Sequence, residues 1–225
     1  MCCIIHRKKG SPLIKKEYLE KVIKKNPHGW GVCYMKKGRL TQMRSMEMDK
    51  AYDKVRELED QNVEFLFHVR WATKGDKTVE NCHPYQYCDG LMFHNGTMDD
   101  MKLWNKAMSD SWHFTLLLNK QIRKRRLPLL EALKKLDKNI NVSRLAFMDN
   151  KGNVHLHGKW HEIDGVLYSK LDWKNTYSSS SNYYGYWGED DRDFNRGRGG
   201  YDFYERERSY QKKTQEYYNS MSIPP

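Results

Sequence analysis

No apolar run in the 225-residue sequence approaches the roughly 20 residues that a membrane-spanning helix needs, so a soluble protein with no membrane contact is expected. The opening "MCCIIHRKKG" meets its first charges after a few apolar residues, too few for the apolar core of a secretory signal. A cytoplasmic protein follows as the expectation. Cysteine is scarce: Cys2, Cys3, Cys33, Cys82 and Cys88 form an odd, irregularly spaced set that fits reduced thiols better than a disulfide framework. Cys82 and Cys88 flank His83, but the second pair of a four-ligand zinc site is missing and no metal is expected. A Walker-type phosphate loop, a nucleotide-binding glycine fingerprint and an internal repeat are absent too.

What is present in excess is positive charge. Lys and Arg number 40 against 29 Asp and Glu, a net charge of +11. Residues 176–225 carry seven of the basic and eight of the acidic residues, so the whole excess sits in residues 1–175. Much of it gathers between Asn119 and Asn139, "NKQIRKRRLPLLEALKKLDKN", where periodic leucines suggest helices with a solvated basic face. That face suits plain solubility and an acidic partner, nucleic acid included, equally well.

Composition shifts sharply near Asn175. The residues beyond it are rich in Ser, Gly, Tyr and charge and almost free of aliphatics, and such a segment cannot bury enough apolar surface to offset its ordering entropy. Residues 176–225 are therefore expected to form a disordered tail. Its tyrosines, arginines and "NRGRGG" are suited to stacking on RNA bases, but its near-zero charge removes the usual electrostatic pull.

In residues 1–175 the apolar spacing predicts strands at Cys2–His6, Trp30–Met35, Leu40–Met46, Val63–Val69, Leu91–His94, Arg144–Met148, Val154–His157 and Gly165–Ser169. It predicts helices at Lys15–Lys25, Asp49–Asp60, Asp100–Ala107, Ser111–Arg125 and Pro128–Lys138. "DNKGN", Asp149 to Asn153, reads as a hairpin turn. Strands, then helices, then strands point to an α+β layered domain.

Two places carry candidate chemistry. In "FHVRWATKG" a strand with Val63, Phe65, Phe67 and Val69 on one face delivers Arg70 at its end, where a scaffold can hold a guanidinium fork toward a carboxylate. Cys2 directly follows the initiator methionine. If Met1 is removed, a thiol and a free α-amine stand on one residue, and the amine can take the thiol proton during attack. A lone cysteine at position two is ordinarily an accident, so its weight depends on its company.

That company is "NPHGWGV", "HVRWATKG" with "NCHP", and "HNGTMDD" followed by "SDSWHF". Together with "MCCII", and in this order, they resemble the class II glutamine amidotransferases, N-terminal nucleophile hydrolases that take ammonia from glutamine. The compact stand-alone version found in bacteriophage genomes is the most similar in style. The resemblance covers roughly the first two thirds of the chain and implies a four-layer αββα sandwich. It implies Cys2 as nucleophile, with the Asn95 side chain and the Gly96 backbone N–H as the oxyanion hole. Arg70 would hold the α-carboxylate of glutamine and Asp110 its α-amine. Trp71 and Thr73 would shape the pocket, with His83 supporting it. No cofactor is implied. Because no synthetase half is legible, the ammonia would pass to a separate polypeptide.

Plainer readings stand beside these. Trp71 also reads as a core aromatic, "HNGT" as a strand-ending turn, and Asp110 as the cap of a helix beginning near Ser111. His68 and His94 are expected to be packed or hydrogen-bonded. Gly29 and Gly31 mark a close backbone approach, with the N-terminal strand as the expected neighbour. Cys3 stands where many members have glycine, and Lys74 where the sugar-synthase branch has histidine. Two rival functions remain open: a catalytically silent module of the same fold that binds nucleic acid or a partner, and a hydrolase of another amide.

Overall fold

The computed structural model describes residues 2–140 and 142–174. The expected tail, residues 176–225, lies outside the described residues.

The chain runs through β1 (Cys3–Arg7), α1 (Lys16–Lys25), β2 (Trp30–Lys36), β3 (Arg39–Ser45), α2 (Asp49–Asp60), β4 (Phe65–Val69), β5 (Tyr85–Tyr87) and β6 (Gly90–Asn95). It continues through α3 (Asp110–Arg125), α4 (Leu129–Lys135), α5 (Asp137–Ile140), β7 (Arg144–Asp149), β8 (Val154–His157), β9 (His161–Ile163) and β10 (Val166–Tyr168). The strands form two antiparallel sheets, one in the order β3-β2-β4-β1-β10-β9 and one in the order β5-β6-β7-β8.

Side-chain alternation along each strand explains how the layers stack. On β4, Phe65, Phe67 and Val69 join Leu19 and Val22 of α1 and Val55 and Leu58 of α2 in one apolar layer. The alternate residue Leu66 faces the other way, into a layer with Ile4, Cys33, Leu91, Phe93, Ala146 and Met148 that lies between the sheets. The second sheet turns Met92, Leu145 and Phe147 onto Phe114 and Leu118 of α3, Leu133 of α4 and Ile140 of α5. Both sheets are thus covered on both faces, which is why β1, β4 and β6 are buried along their whole length rather than alternately. Each fully buried Leu or Phe contributes ~2 kcal/mol against exposure.

Several expected elements stand with small shifts in their ends. The turn at Asp149 is made as its sequence suggests: Asp149 Oδ1 accepts from the N–H groups of Lys151 and Asn153, both at 2.8 Å, and Gly152 adopts φ 88°. The helix expected at Asp100–Ala107 does not form. Asn105 there donates its N–H to His113 Nε2 at 3.2 Å and accepts the Ala107 N–H on its side chain at 3.1 Å, bonds that compete with a helical ladder. The helix expected at Pro128–Lys138 breaks at Leu136 into α4 and α5. Strands β5 and β9, three residues each, are too short to show a period and were not anticipated.

Candidate active site

Register places the candidate nucleophile. β1 pairs with β4 so that Cys3 faces Val69, and one step further sets Cys2 beside Arg70. The Trp71 N–H donates to Cys2 Sγ at 3.3 Å, and Sγ lies 3.5 Å from the Trp71 carbonyl oxygen. On the other side of β4, Arg70 N–H donates to Gly29 O at 2.8 Å and His28 N–H to Arg70 O at 3.0 Å. Three sequence stretches, "MCC", "HGWG" and "RWAT", therefore meet at one end of the first sheet.

Cys2 is only partly buried as a residue, yet its thiol is desolvated enough that burial pushes the pKa up. The Trp71 N–H, Arg70 and Lys170 act in the opposite direction, favouring the thiolate. Its neighbour Cys3 is fully enclosed, and burial pushes that thiol up to about 12. Of the two adjacent sulfurs, one belongs to a partly exposed residue under the influence of Arg70 and Lys170, and the other is core.

Arg70 is buried, 3% exposed, and its guanidinium is wrapped by its own following loop. Nη1 donates to Asp76 O at 2.8 Å, and Nη2 to Lys74 O and Gly75 O at 3.2 and 3.4 Å. These bonds leave Nε and one Nη1 hydrogen unused, so the fork both shapes the loop and retains donor capacity. Lys74 donates to Met98 O at 3.2 Å and to Asp99 Oδ1 at 3.1 Å, tying this loop to the segment after "HNG". Trp71 is 39% exposed, its ring 5.0 Å from that of His28, which excludes the core reading. Thr73 lies on the exposed part of the same loop.

Asn95 ends β6 and is buried, its Nδ2 donating to Ser169 Oγ at 2.8 Å. Gly96 has φ 156°, and a Cβ built on it would lie 2.3 Å from Ser143 Oγ, so only glycine fits there. Asp110, also buried, accepts the Met98 N–H on Oδ2 at 2.9 Å and the Ser111 N–H on Oδ1 at 2.7 Å. It is not the helix cap. Ser109 caps α3 by accepting the Trp112 N–H at 3.2 Å, and Asp110 is the first helical residue, free to brace the "HNGTM" segment.

His83 sits among rings, 4.2 Å from that of His68 and 4.8 Å from Tyr85, and burial holds its pKa well below the usual histidine value. Among the described residues neither ring nitrogen of His83 has a hydrogen-bond partner, and His68 makes only a loose contact with the His94 backbone. His94, by contrast, meets Ser111 Oγ at 2.7 Å and Ser143 Oγ at 3.0 Å. The close approach marked by Gly29 and Gly31 is to the "NCHP" segment and not to the N-terminal strand. A Cβ on Gly31 would stand 1.8 Å from His83 O, and one on Gly29 would stand 2.4 Å from Cys82 Sγ. The reason is topological, since β2 pairs with β3 and β4 and never with β1.

Sequence reasoning passed over three contributors. Asn81, fully buried, donates to Asp76 O and Ala107 O and accepts the Ser109 N–H, joining three loops around Arg70 and Asp110. His28 accepts the Ala72 N–H on Nδ1 at 3.0 Å, which fixes the neutral tautomer with its proton on Nε2. Ser169 bonds Asn95. Asn81 sits inside a quoted motif and was legible in principle; Ser169 belongs to none. Among the described residues no group of three or more His, Cys, Asp or Glu is placed to hold a metal ion, and no helix is long and apolar enough to cross a membrane.

Residues 18–113 match the family of class II glutamine amidotransferases, a segment that includes "HGWG", "RWAT", "HNG" and Asp110 and begins after Cys2. Over 77 residues the chain is 35% identical to the glutamine–fructose-6-phosphate aminotransferase (isomerizing) of Sulfurisphaera tokodaii, a match that takes in 30% of this chain and 13% of that protein. Two solved structures are similar at lower identity. One is a glutamine aminotransferase class-II domain protein from Silicibacter pomeroyi, with TM-score 0.41 and 15% identity, covering 75% of this chain and 87% of that one. The other is the glutamine phosphoribosylpyrophosphate amidotransferase of B. subtilis, with TM-score 0.47 and 16% identity, covering 74% and 40%.

Proposed function

We propose that residues 1–175 form a class II glutamine amidotransferase domain of the N-terminal nucleophile type, which hydrolyses glutamine to glutamate and ammonia through a thioester on Cys2. The observation that carries this reading is the contact of Cys2 Sγ with the Trp71 backbone, next to Arg70 and within a cationic surround. The chemistry requires that Met1 be removed, so that the α-amine of Cys2 is free to act as the base.

In this scheme the α-amine takes the thiol proton as sulfur bonds to the side-chain amide carbon of glutamine. The carbonyl oxygen gains the negative charge and is met by the second N–H of the Asn95 amide and the Gly96 N–H. Collapse of that intermediate breaks the carbon–nitrogen bond, and the amine returns its proton to the leaving nitrogen, which departs as ammonia. Water, deprotonated by the same amine, attacks the thioester, and glutamate leaves as the thiol is regenerated. The unused hydrogens of Arg70 meet the substrate carboxylate, Asp110 meets its ammonium, Trp71 and Thr73 line the mouth, and His83 supports the pocket by packing.

The chain spans about 13% of the length of the curated relative it matches, and the use of ammonia belongs to a synthetase partner on another polypeptide in this reading. The test is glutamate release from glutamine by the purified protein with Met1 removed. Release that disappears in Cys2→Ala supports the proposal, and no release from the wild type, alone or with cell extract as a source of partner, contradicts it.

A further inference from the structure

Ser169 follows β10, lies outside every motif, and has no exposure to solvent. Its hydroxyl oxygen accepts twice. Oγ accepts the Ile4 N–H at 2.8 Å and one hydrogen of Asn95 Nδ2 at 2.8 Å, and the hydroxyl favours the thiolate of neighbouring Cys3 against the burial that pushes its pKa up. Its own backbone N–H donates to Ile4 O at 2.9 Å. One side chain thus joins β1, which follows directly on Cys2, to the end of β6 in the other sheet.

We propose that Ser169 is a positioning residue that sets the Asn95 amide for oxyanion stabilisation, an inference that rests on the glutaminase reading above. The physical argument is directional. An asparagine amide can rotate about its last torsion, and a rotating donor gives little to a developing charge. Ser169 takes one of the two Nδ2 hydrogens, which fixes the plane of the amide and commits the other hydrogen to a single direction. Because Oγ also holds the Ile4 N–H, that direction is fixed relative to the strand carrying the nucleophile, and small misplacements of such groups are costly to rate.

The test combines kinetics with a readout independent of turnover. Ser169→Ala is expected to lower kcat for glutamine about tenfold or more, with KM changed less than about threefold and the rate of Cys2 alkylation by iodoacetamide within about twofold of wild type. In an Asn95→Ala background the same change should have no further effect, because the serine acts through the asparagine. The Asn95 side-chain amide protons, followed by nitrogen-15 NMR, should exchange about tenfold faster in Ser169→Ala. If Ser169→Ala does not fold, Ser169→Cys, similar in size with a much weaker acceptor, carries the same expectations.

A wild-type kcat in the variant, an equal loss in both backgrounds, or a matching loss of Cys2 alkylation overturns the positioning role. If the wild type releases no glutamate, the glutaminase reading fails and the catalytic role falls with it. The exchange of the Asn95 amide then still shows whether the serine orders the asparagine.

Discussion

Two buried polar groupings are held by different means. Arg70 just after β4, Asn95 at the end of β6, Asp110 and Ser169 each have directed hydrogen bonds of 2.7–2.9 Å. His68, two residues before Arg70, and His83 are packed ring against ring without a short side-chain hydrogen bond, and burial pushes the His68 pKa down to about 3. The first grouping keeps donors and charges in fixed directions, which is what chemistry needs; the second keeps its rings neutral and behaves as core. Depth alone therefore does not separate the two groupings. Direction does.

The sharpest way to break that contrast is at the adjacent cysteines. Cys2→Ala is expected to lower glutamate release about a thousandfold or more, since the attacking atom itself is lost, and kinetics at saturating glutamine measures it. Cys3→Ala, one residue away, should leave kcat within about threefold while costing ~1 kcal/mol of stability in urea unfolding. Next in size, Asn95→Ala should lower kcat about a hundredfold with a smaller change in KM, the signature of an interaction made in the transition state.

The histidine grouping gives a pH prediction of opposite character. His68, His83 and His94 are neutral in the folded protein, with His94 held down to about 4 by burial against the opposing pull of Asp110. Arg70 and Arg44 face the cluster and add to the depression of His83. In the unfolded chain these rings bind protons near 6.5, so between there and the folded values the unfolded state holds more protons. Stability is fully present above 6.5 and is lost as pH falls toward 4 and 3. Thermal unfolding should show Tm lower by about 5 °C or more at pH 5 than at pH 7, with the drop smaller by roughly a third in a variant carrying His68→Gln, which removes one of the three depressed rings. The smallest effect is expected at Trp71. With its ring 39% exposed, Trp71→Ala should raise KM for glutamine a few-fold and change stability by less than ~0.5 kcal/mol.

How much of this was legible beforehand follows from the range of the forces. The period-2 runs at Trp30 and Val63 and the Asp149 turn are local signals, and the strands and hairpin appear where those signals put them. The grouping of Cys2, Arg70 and the "HGWG" turn follows from β1 and β2 flanking β4, an order no local pattern encodes; only the resemblance of the motifs suggested it. Asp100–Ala107 was misread because apolar spacing there resembles a helix while Asn105 and His113, eight residues apart, bond across it. The plainer reading of Asp110 as a cap fails by one residue, since Ser109 is the cap, a distance within which helix ends are not resolved from sequence. Ser169 could not be found at all, since its partners Ile4 and Asn95 are 165 and 74 residues away.

The account turns on the reactivity of one sulfur at the processed amino terminus. Intact mass spectrometry before and after treatment with a glutamine-mimicking electrophile tests it most directly. The predicted result is a protein lacking Met1 that gains a single adduct, mapped to Cys2 and suppressed by excess glutamine. An adduct on Cys33, Cys82 or Cys88, or a fully retained Met1 with no labelling at Cys2, would contradict it.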